Sequence, residues 1–198
     1  MTEIASPLTS QNPIAARLLG MRTARTCIWT TYESPFGKLT LCALDGPLGE
    51  LHFAGRAPTL EERDHGPERF VEAIAQLNEY FAGTRRQFEL ELDLSAGTSF
   101  QRDVWRELTA IPYGETSSYG HLAAVLGRPD RARAVGAAVG RNPLPIIIPC
   151  HRVVGADGSL TGYVGGLHRK QALLDTERAV HRGNGAAIEF GARQLALL

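Results

Sequence analysis

The amino-acid sequence predicts an α+β fold: a small N-terminal α/β domain, then a mostly helical C-terminal domain with a helix-turn-helix. Three observations predict it. The first half opens with β-type segments around a proline–glycine turn. The second half carries successive helical patterns, each closed by glycine or proline. Between them Ser95, Ala96 and Gly97 form a short joint. The division is a leader at 1–24, a first domain at 25–95, a second at 96–180 and a tail at 181–198. At 198 residues and 43% hydrophobic composition the chain suffices for two small domains.

Taken in order, residues 1–24 hold Pro7, Pro13 and scattered Ser and Thr, without the apolar core of a signal peptide. Segments 26–33 and 38–44 read as strands around Ser34, Pro35, Phe36 and Gly37, and 48–53 adds a third strand. Residues 56–66 are polar and read as a surface loop. Phe70, Ile74, Leu77 and Phe81 recur at helical spacing, so 67–82 is a helix ended by Gly83. Segment 88–94 alternates strictly and reads as a half-buried strand. Thr98 with Gln101 makes a capping box for a helix with Phe100, Val104, Trp105 and Leu108 on its apolar face. Pro112, Tyr113 and Gly114 stop it. Helices at 118–126 and 130–139 follow, separated by Gly127, Arg128 and Pro129, with Pro129 suited to the first turn of the second. This is the helix-turn-helix pattern. A short apolar strand at 145–149, a turn at 155–158 and a last helix at 167–178 complete the chain.

Composition excludes several classes. Three cysteines argue against a disulfide framework and for a reducing compartment, so cytoplasm is expected. No apolar run approaches the ~20 residues that span a bilayer, and no membrane partner is expected. Lys+Arg and Asp+Glu balance at 21 each, but unevenly. Residues 25–95 carry 7 basic and 12 acidic side chains, residues 96–180 carry 10 and 7. Arg128, Arg131, Arg133 and Arg141 stand against Asp130 alone, a basic patch able to contact phosphates, as well as an ordinary solvated helix face. The helix 130–139 is rich in Ala and Gly, which permits close approach to a groove or to another helix.

Cys150 is the chemically pointed residue. An apolar segment precedes it and His151 and Arg152 follow it, so the thiol belongs at a pocket floor where positive charge can favour the thiolate. The bland alternative is an inert buried cysteine. On a straight strand Cys150 and His151 face opposite ways, so pairing needs a bend, which Pro149 supplies, or a bridging water. A carboxylate would fix the histidine tautomer; Glu177, Asp175, Asp157 and Glu115 all remain open by spacing.

The run from Asn142 to Val153, with Pro149, Cys150, His151 and Arg152 at its centre, closely resembles the active-site signature of the O6-alkylguanine-DNA alkyltransferases, the methylated-DNA–protein-cysteine methyltransferases. The resemblance continues through 111–120, 132–136, 162–167, Glu177 and the hairpin at 34–39, and covers about residues 26–180. It implies a ribonuclease-H-like first domain and a second that binds duplex DNA in the minor groove. Ala132, Ala134, Gly136 and Ala137 would suit that narrow approach. Arg133 matches the arginine that fills the gap left by a flipped nucleotide, and Tyr119 the tyrosine that helps rotate it and donates to guanine N3. Cys150 would be the nucleophile, His151 its base through a water, and Glu177 the partner orienting His151. Asn142 would hold the turn before the active-site segment. The carbonyls of Cys150 and Val153 would accept from the guanine amine, Tyr163 would line the pocket, and the amide of Val164 would face O6. Some relatives carry serine at the position of Val164, so a hydroxyl contact is lost here.

The expected activity is direct-reversal repair. An alkyl group would pass from O6 of guanine, less readily from O4 of thymine, to Cys150, in a single turnover that consumes the protein. No cofactor is expected. The first-domain zinc ligands of some relatives do not transfer: Cys27 and Cys42, with His52, make at most a partial set, and no metal is expected. The partner is double-stranded DNA with alkylated bases, and the protein is expected as a monomer, with clustering on DNA left open. Three rival readings make different demands. A lesion-binding protein without transfer would lack the reactive cysteine. A Cys-His hydrolase would need an oxyanion hole, and a transcription regulator a metal-binding sensor domain that residues 1–25 do not hold.

Overall fold

The structure, a computed structural model, describes residues 27–44 and 46–181. The expected leader and the tail after His181 lie outside the described residues.

Strands β1 (Cys27–Ser34), β2 (Gly37–Leu44) and β3 (Leu48–Phe53) form an antiparallel sheet in that order. Its first hairpin closes on the pair Ser34–Gly37. The Ser34 hydroxyl donates to the Gly37 carbonyl at 2.6 Å and accepts from the Phe36 amide at 3.1 Å. Gly37 sits at φ 90°, the left-handed region that glycine enters without steric cost. Leu39, Leu41 and Ala43 of β2 point into the core. A 3-10 turn, Pro67–Phe70, leads into helix α1 (Val71–Phe81), which buries Leu77, Tyr80 and Phe81.

Segment 88–94 is extended but is not a strand of the sheet. It is bridged to β3 between Leu48 and Leu92, with the Asp93 amide donating to the Leu48 carbonyl at 2.9 Å. The Gln76 side chain holds the rest, donating to the Glu89 carbonyl at 3.0 Å and accepting from its amide at 2.8 Å. Alternation reports one buried face, which a side-chain bracket satisfies as well as a ladder does.

In the second half Thr98 caps α2 (Ser99–Thr109) with the reciprocal pair to Gln101. Val104, Trp105 and Leu108 are buried, as the spacing predicts. Two residues, Ser117–Ser118, form β4 and pair in parallel with β5 (Val153–Val154). Helix α3 (Tyr119–Val125), capped by Ser118, is joined through Gly127 and a 3-10 turn, Pro129–Arg131, to α4 (Ala132–Val139). The Trp105 indole donates to the Ala138 carbonyl at 2.9 Å and ties α2 to α4. Helix α5 (Leu167–His181) runs three residues beyond its expected end.

The apolar strand expected at 145–149 is instead a buried turn. Ile146 adopts φ 77°, rare for a β-branched residue, and Pro145 bridges to Ile148. Trp105 is a core aromatic, but Trp29 is only half-buried: it packs on His65 and donates to the Glu61 carbonyl at 2.9 Å. One apolar cluster spans both halves, from Leu39 in β2 to Leu173 in α5.

Candidate active site

Cys150 opens a 3-10 turn, Cys150–Arg152, and this turn is the bend that separates its side chain from the direction of a strand. Asn142 fixes the loop leading to it. Its amide nitrogen donates to the Ile148 carbonyl at 2.8 Å, and its oxygen accepts from the Leu144 amide at 3.0 Å. These bonds pin both sides of the strained Ile146.

The charges expected to hold Cys150 as thiolate are engaged elsewhere. Burial pushes the thiol up to about 11; Asn142 and the charge of Lys170 pull the other way without prevailing. Arg152 is buried and bound to Glu177, with Nε at 2.9 Å from Oε2 and Nη2 at 2.9 Å from Oε1. Its Nη1 donates to the Ile111 carbonyl at 2.7 Å. Arg152 is therefore an internal ion pair, not a surface cation.

Glu177 is the hub. Besides Arg152 it accepts from His151 Nε2 at 2.9 Å, the Tyr80 hydroxyl at 2.7 Å and the Gly114 amide at 3.1 Å. Burial opposes its ionisation, but the hydrogen bonds and charges of His151 and Arg152 outweigh this and hold the carboxyl well below the usual range. An ionised carboxylate only accepts, so Nε2 of His151 carries a proton. Burial also pushes His151 below its ordinary 6.5. The ring is then neutral at pH 7 and Nδ1, buried and without a protein partner, is an acceptor. Of the four carboxylates open by spacing, the structure brings Glu177 to His151.

A cleft of about 360 Å³ lies over Cys150, lined by Tyr119, Gly136, Val139, Gly140, Gly162, Tyr163 and Val164. Tyr163 packs edge-on to His151, and its hydroxyl is buried without a hydrogen-bond partner. The Tyr119 hydroxyl lies 2.8 Å from Thr161 Oγ1. Gly136 lies against Tyr119, and a Cβ there would make ordinary contact with the ring at 3.5 Å. The Val153 carbonyl accepts from Lys170 Nζ and the Cys150 carbonyl from the Val153 amide, which leaves each a second lone pair.

Beside the cleft, α4 buries Val135, Ala138 and Val139 and leaves Arg133, Ala134 and Ala137 exposed, with Ala132 and Gly136 intermediate. Arg128, Arg131 and Arg141 are exposed as well. The predicted residues thus fall into two groups that meet at Tyr119 and Gly136, the pocket and the outer face of α4.

Sequence reasoning missed Tyr80, Gly114, Thr161 and Lys170. Tyr80 lies on α1, in the other half of the chain from Cys150; only a tyrosine among the apolar residues of that helix hinted at a buried hydroxyl needing an acceptor. Away from the cleft, Cys42, Glu50 and His52 place donor atoms within 4.8 Å of one another on the sheet, a set able to hold a cation. Glu50 and His52 already pair there at 2.8 Å, so His52 has a partner that the sequence did not reveal.

Residues 27–94 match the family model described as the ribonuclease-like domain of 6-O-methylguanine DNA methyltransferase, and residues 99–179 the model of its DNA binding domain. A methylated-DNA–protein-cysteine methyltransferase of Mycolicibacterium paratuberculosis is 51% identical over 152 residues, 76% of this chain and 92% of the relative. One from Methanosarcina acetivorans is 44% identical, over 75% of this chain and 97% of the relative. The crystal structure of Mycobacterium tuberculosis OGT in complex with DNA superposes with a TM-score of 0.71 at 48% identity, covering 77% of this chain and 93% of that one.

Proposed function

The chain belongs to the 6-O-methylguanine DNA methyltransferase family, and we propose that Cys150 is the residue onto which it moves the alkyl group. Its activity is direct-reversal DNA repair by alkyl transfer to a protein cysteine, and it binds DNA. The observation that carries the residue assignment is the buried set below the cleft: a thiol, a neutral histidine with a free Nδ1, and a carboxylate that orients the histidine.

The chemistry follows from those protonation states. The resting thiol keeps its proton, which protects a protein able to react only once. When the alkylated base fills the cleft, the S–H proton passes through a water to His151 Nδ1, and the imidazolium is stabilised by Glu177. The sulfur attacks the alkyl carbon, the carbon–O6 bond breaks, and its electron pair stays on the guanine. Tyr119, turning from Thr161 towards the base, donates a hydrogen bond that makes guanine a better leaving group. The Val164 amide faces O6, and the free lone pairs of the Cys150 and Val153 carbonyls receive the exocyclic amine. The thioether product has no easy leaving path, so Cys150 is consumed.

The same reading places duplex DNA along α4. Ala134 and Ala137 on its exposed face admit a narrow minor groove, and Arg133 fills the stack after the damaged nucleotide turns out. Extrusion is needed because O6 lies on the major-groove edge, away from the helix.

Intact-protein mass spectrometry after mixing with duplex DNA holding a single O6-methylguanine tests the assignment. Gain of one methyl group, mapped to Cys150 and matched by its loss from the DNA, is expected. A methyl group on another residue, or none with the lesion still bound, would overturn it.

A further inference from the structure

The three-stranded sheet has two faces, and the apolar core accounts for one of them. Leu39, Leu41, Leu51 and Phe53 pack inward, and Phe53 meets Tyr163 of the cleft. The alternate residues Thr40, Cys42, Glu50 and His52 therefore lie on the opposite face. Cys42 and Glu50 are register partners across β2 and β3, and His52 follows two residues along. A register shift falls between Cys42 and Ala43, the kind of irregularity that re-aims a side chain. The Cys42 Sγ, a Glu50 carboxylate oxygen and a His52 ring nitrogen come within 4.8 Å of one another. Cys27 is diagonal to Cys42 on the same face, since Cys27 pairs with Leu44 and Cys42 with Trp29. The sequence offered two thiols and an imidazole as a partial set, and folding adds Glu50. These residues stand at other positions than the ligands of the zinc-binding relatives.

The donors suit one kind of cation. Cys42 is fully buried and forms a floor, while the Glu50 and His52 side chains stay partly open to solvent and give a cation a way in. The 2.8 Å contact between His52 Nε2 and Glu50 Oε2 already turns the imidazole to that spot. Burial, the Cys27 thiol and the charge of Glu50 push the Cys42 thiol well above its ordinary value, and a divalent cation reverses that balance by binding the thiolate outright. Thiolate with imidazole matches a borderline-soft, tetrahedral cation such as zinc, whereas magnesium and calcium take oxygen ligands. Zinc ligands at about 2.0–2.3 Å from the metal lie roughly 3.5 Å from one another, which small side-chain rotations reach from the observed spacing.

We propose that Cys42, Glu50 and His52 form a zinc site on the face of the sheet turned away from the cleft, with Cys27 as the fourth ligand. Each thiol gives up its proton to solvent as the cation binds. The cation ties β2 to β3 and, through Cys27, to β1. Its role is to stabilise the first domain, because the apolar face of the sheet lies between it and Cys150. The site is independent of which residue accepts the alkyl group.

Chelator-treated full-length protein is titrated with cobalt(II) and then with zinc, followed by absorption and native mass spectrometry, beside urea unfolding and methyl transfer from duplex DNA. One cobalt per chain is expected, with the sulfur-to-cobalt band of thiolate ligation, and zinc should displace it. Cys42→Ser should lose most of that band and Cys27→Ser should weaken it, while Cys150→Ser keeps it whole. Glu50→Gln and His52→Asn should each lower zinc affinity by at least about tenfold. Zinc should raise the urea midpoint of the wild type and leave its methyl transfer unchanged. Equal zinc affinity in the wild type, Glu50→Gln and His52→Asn would overturn the site. So would a cobalt band lost in Cys150→Ser but retained in Cys42→Ser. An unchanged band in Cys27→Ser would remove Cys27 from the ligand set, and transfer that stops on chelation and returns with zinc would overturn the structural role. Should Cys42→Ser fail to fold, the partly exposed Glu50 and His52 decide the question through their own variants.

Discussion

Glu177 shows how much one residue can carry. A buried carboxylate without partners would cost several kcal/mol, yet this one stays ionised because Arg152, His151, Tyr80 and Gly114 all donate to it. Replacing it with glutamine leaves Arg152 buried without a counter-charge. Glu177→Gln is expected to cost about 3–5 kcal/mol in urea unfolding and to abolish fast transfer. Tyr80→Phe removes a single hydrogen bond to a charged acceptor. It should cost about 1.5–3 kcal/mol and slow transfer without weakening binding to the duplex. A normal transfer rate in Tyr80→Phe would show that the hydroxyl serves the fold alone.

At the scale of elements, the exposed face of α4 and the loop before Cys150 make different demands. Arg133 is exposed on α4, so its loss should leave stability within about 0.5 kcal/mol. Arg133→Ala is expected to slow repair of duplex DNA by at least about tenfold, because unstacking a base costs a few kcal/mol. Reaction with free O6-benzylguanine should be nearly unchanged, and equal losses on both substrates would argue against a role in extrusion. Ala137→Leu tests the narrow-groove reading. A bulkier side chain on the exposed face should weaken duplex binding while the free base still reacts; unchanged duplex affinity would count against it. The loop 142–148 tolerates Ile146 at φ 77° because Asn142 brackets it and its side chain is buried.

At the scale of the molecule, the halves are joined both by a common apolar cluster and by the Tyr80–Glu177 bond. Unfolding should therefore be a single transition, with tryptophan fluorescence and circular dichroism coinciding. Its pH dependence follows from the shifts at the site. His151 is held below its ordinary 6.5, so the folded chain resists a proton that the unfolded chain takes up. That contribution is present above pH 6.5 and is lost as the pH falls. Glu177 behaves alike below its ordinary 4.5. Cys150 is raised from 9.0 to about 11, so its contribution is lost as the pH climbs through that interval. The urea midpoint should be flat near neutrality and fall on both sides. In Glu177→Gln the decline that begins below pH 4.5 should shrink.

Local chemistry was readable along the chain wherever its signal is short-ranged. The Thr98–Gln101 box, the Ser34–Gly37 hairpin, the glycine and proline stops and the apolar faces of α1 and α2 depend on residues a few positions apart. The motif around Cys150 was equally plain, and with it the family. The mistaken strands at 88–94 and 145–149 arose where an apolar pattern reports burial without saying what satisfies the backbone; Gln76 and Asn142 do so from a distance. Protonation was beyond reach for the same reason. Arg152 beside Cys150 in sequence suggested a thiolate, but folding turns that guanidinium to Glu177, 25 residues away, and buries the thiol. Tyr80, 97 residues from Glu177, and Lys170 enter the site only once the chain has packed, because hydrogen bonds and desolvation depend on distance in space.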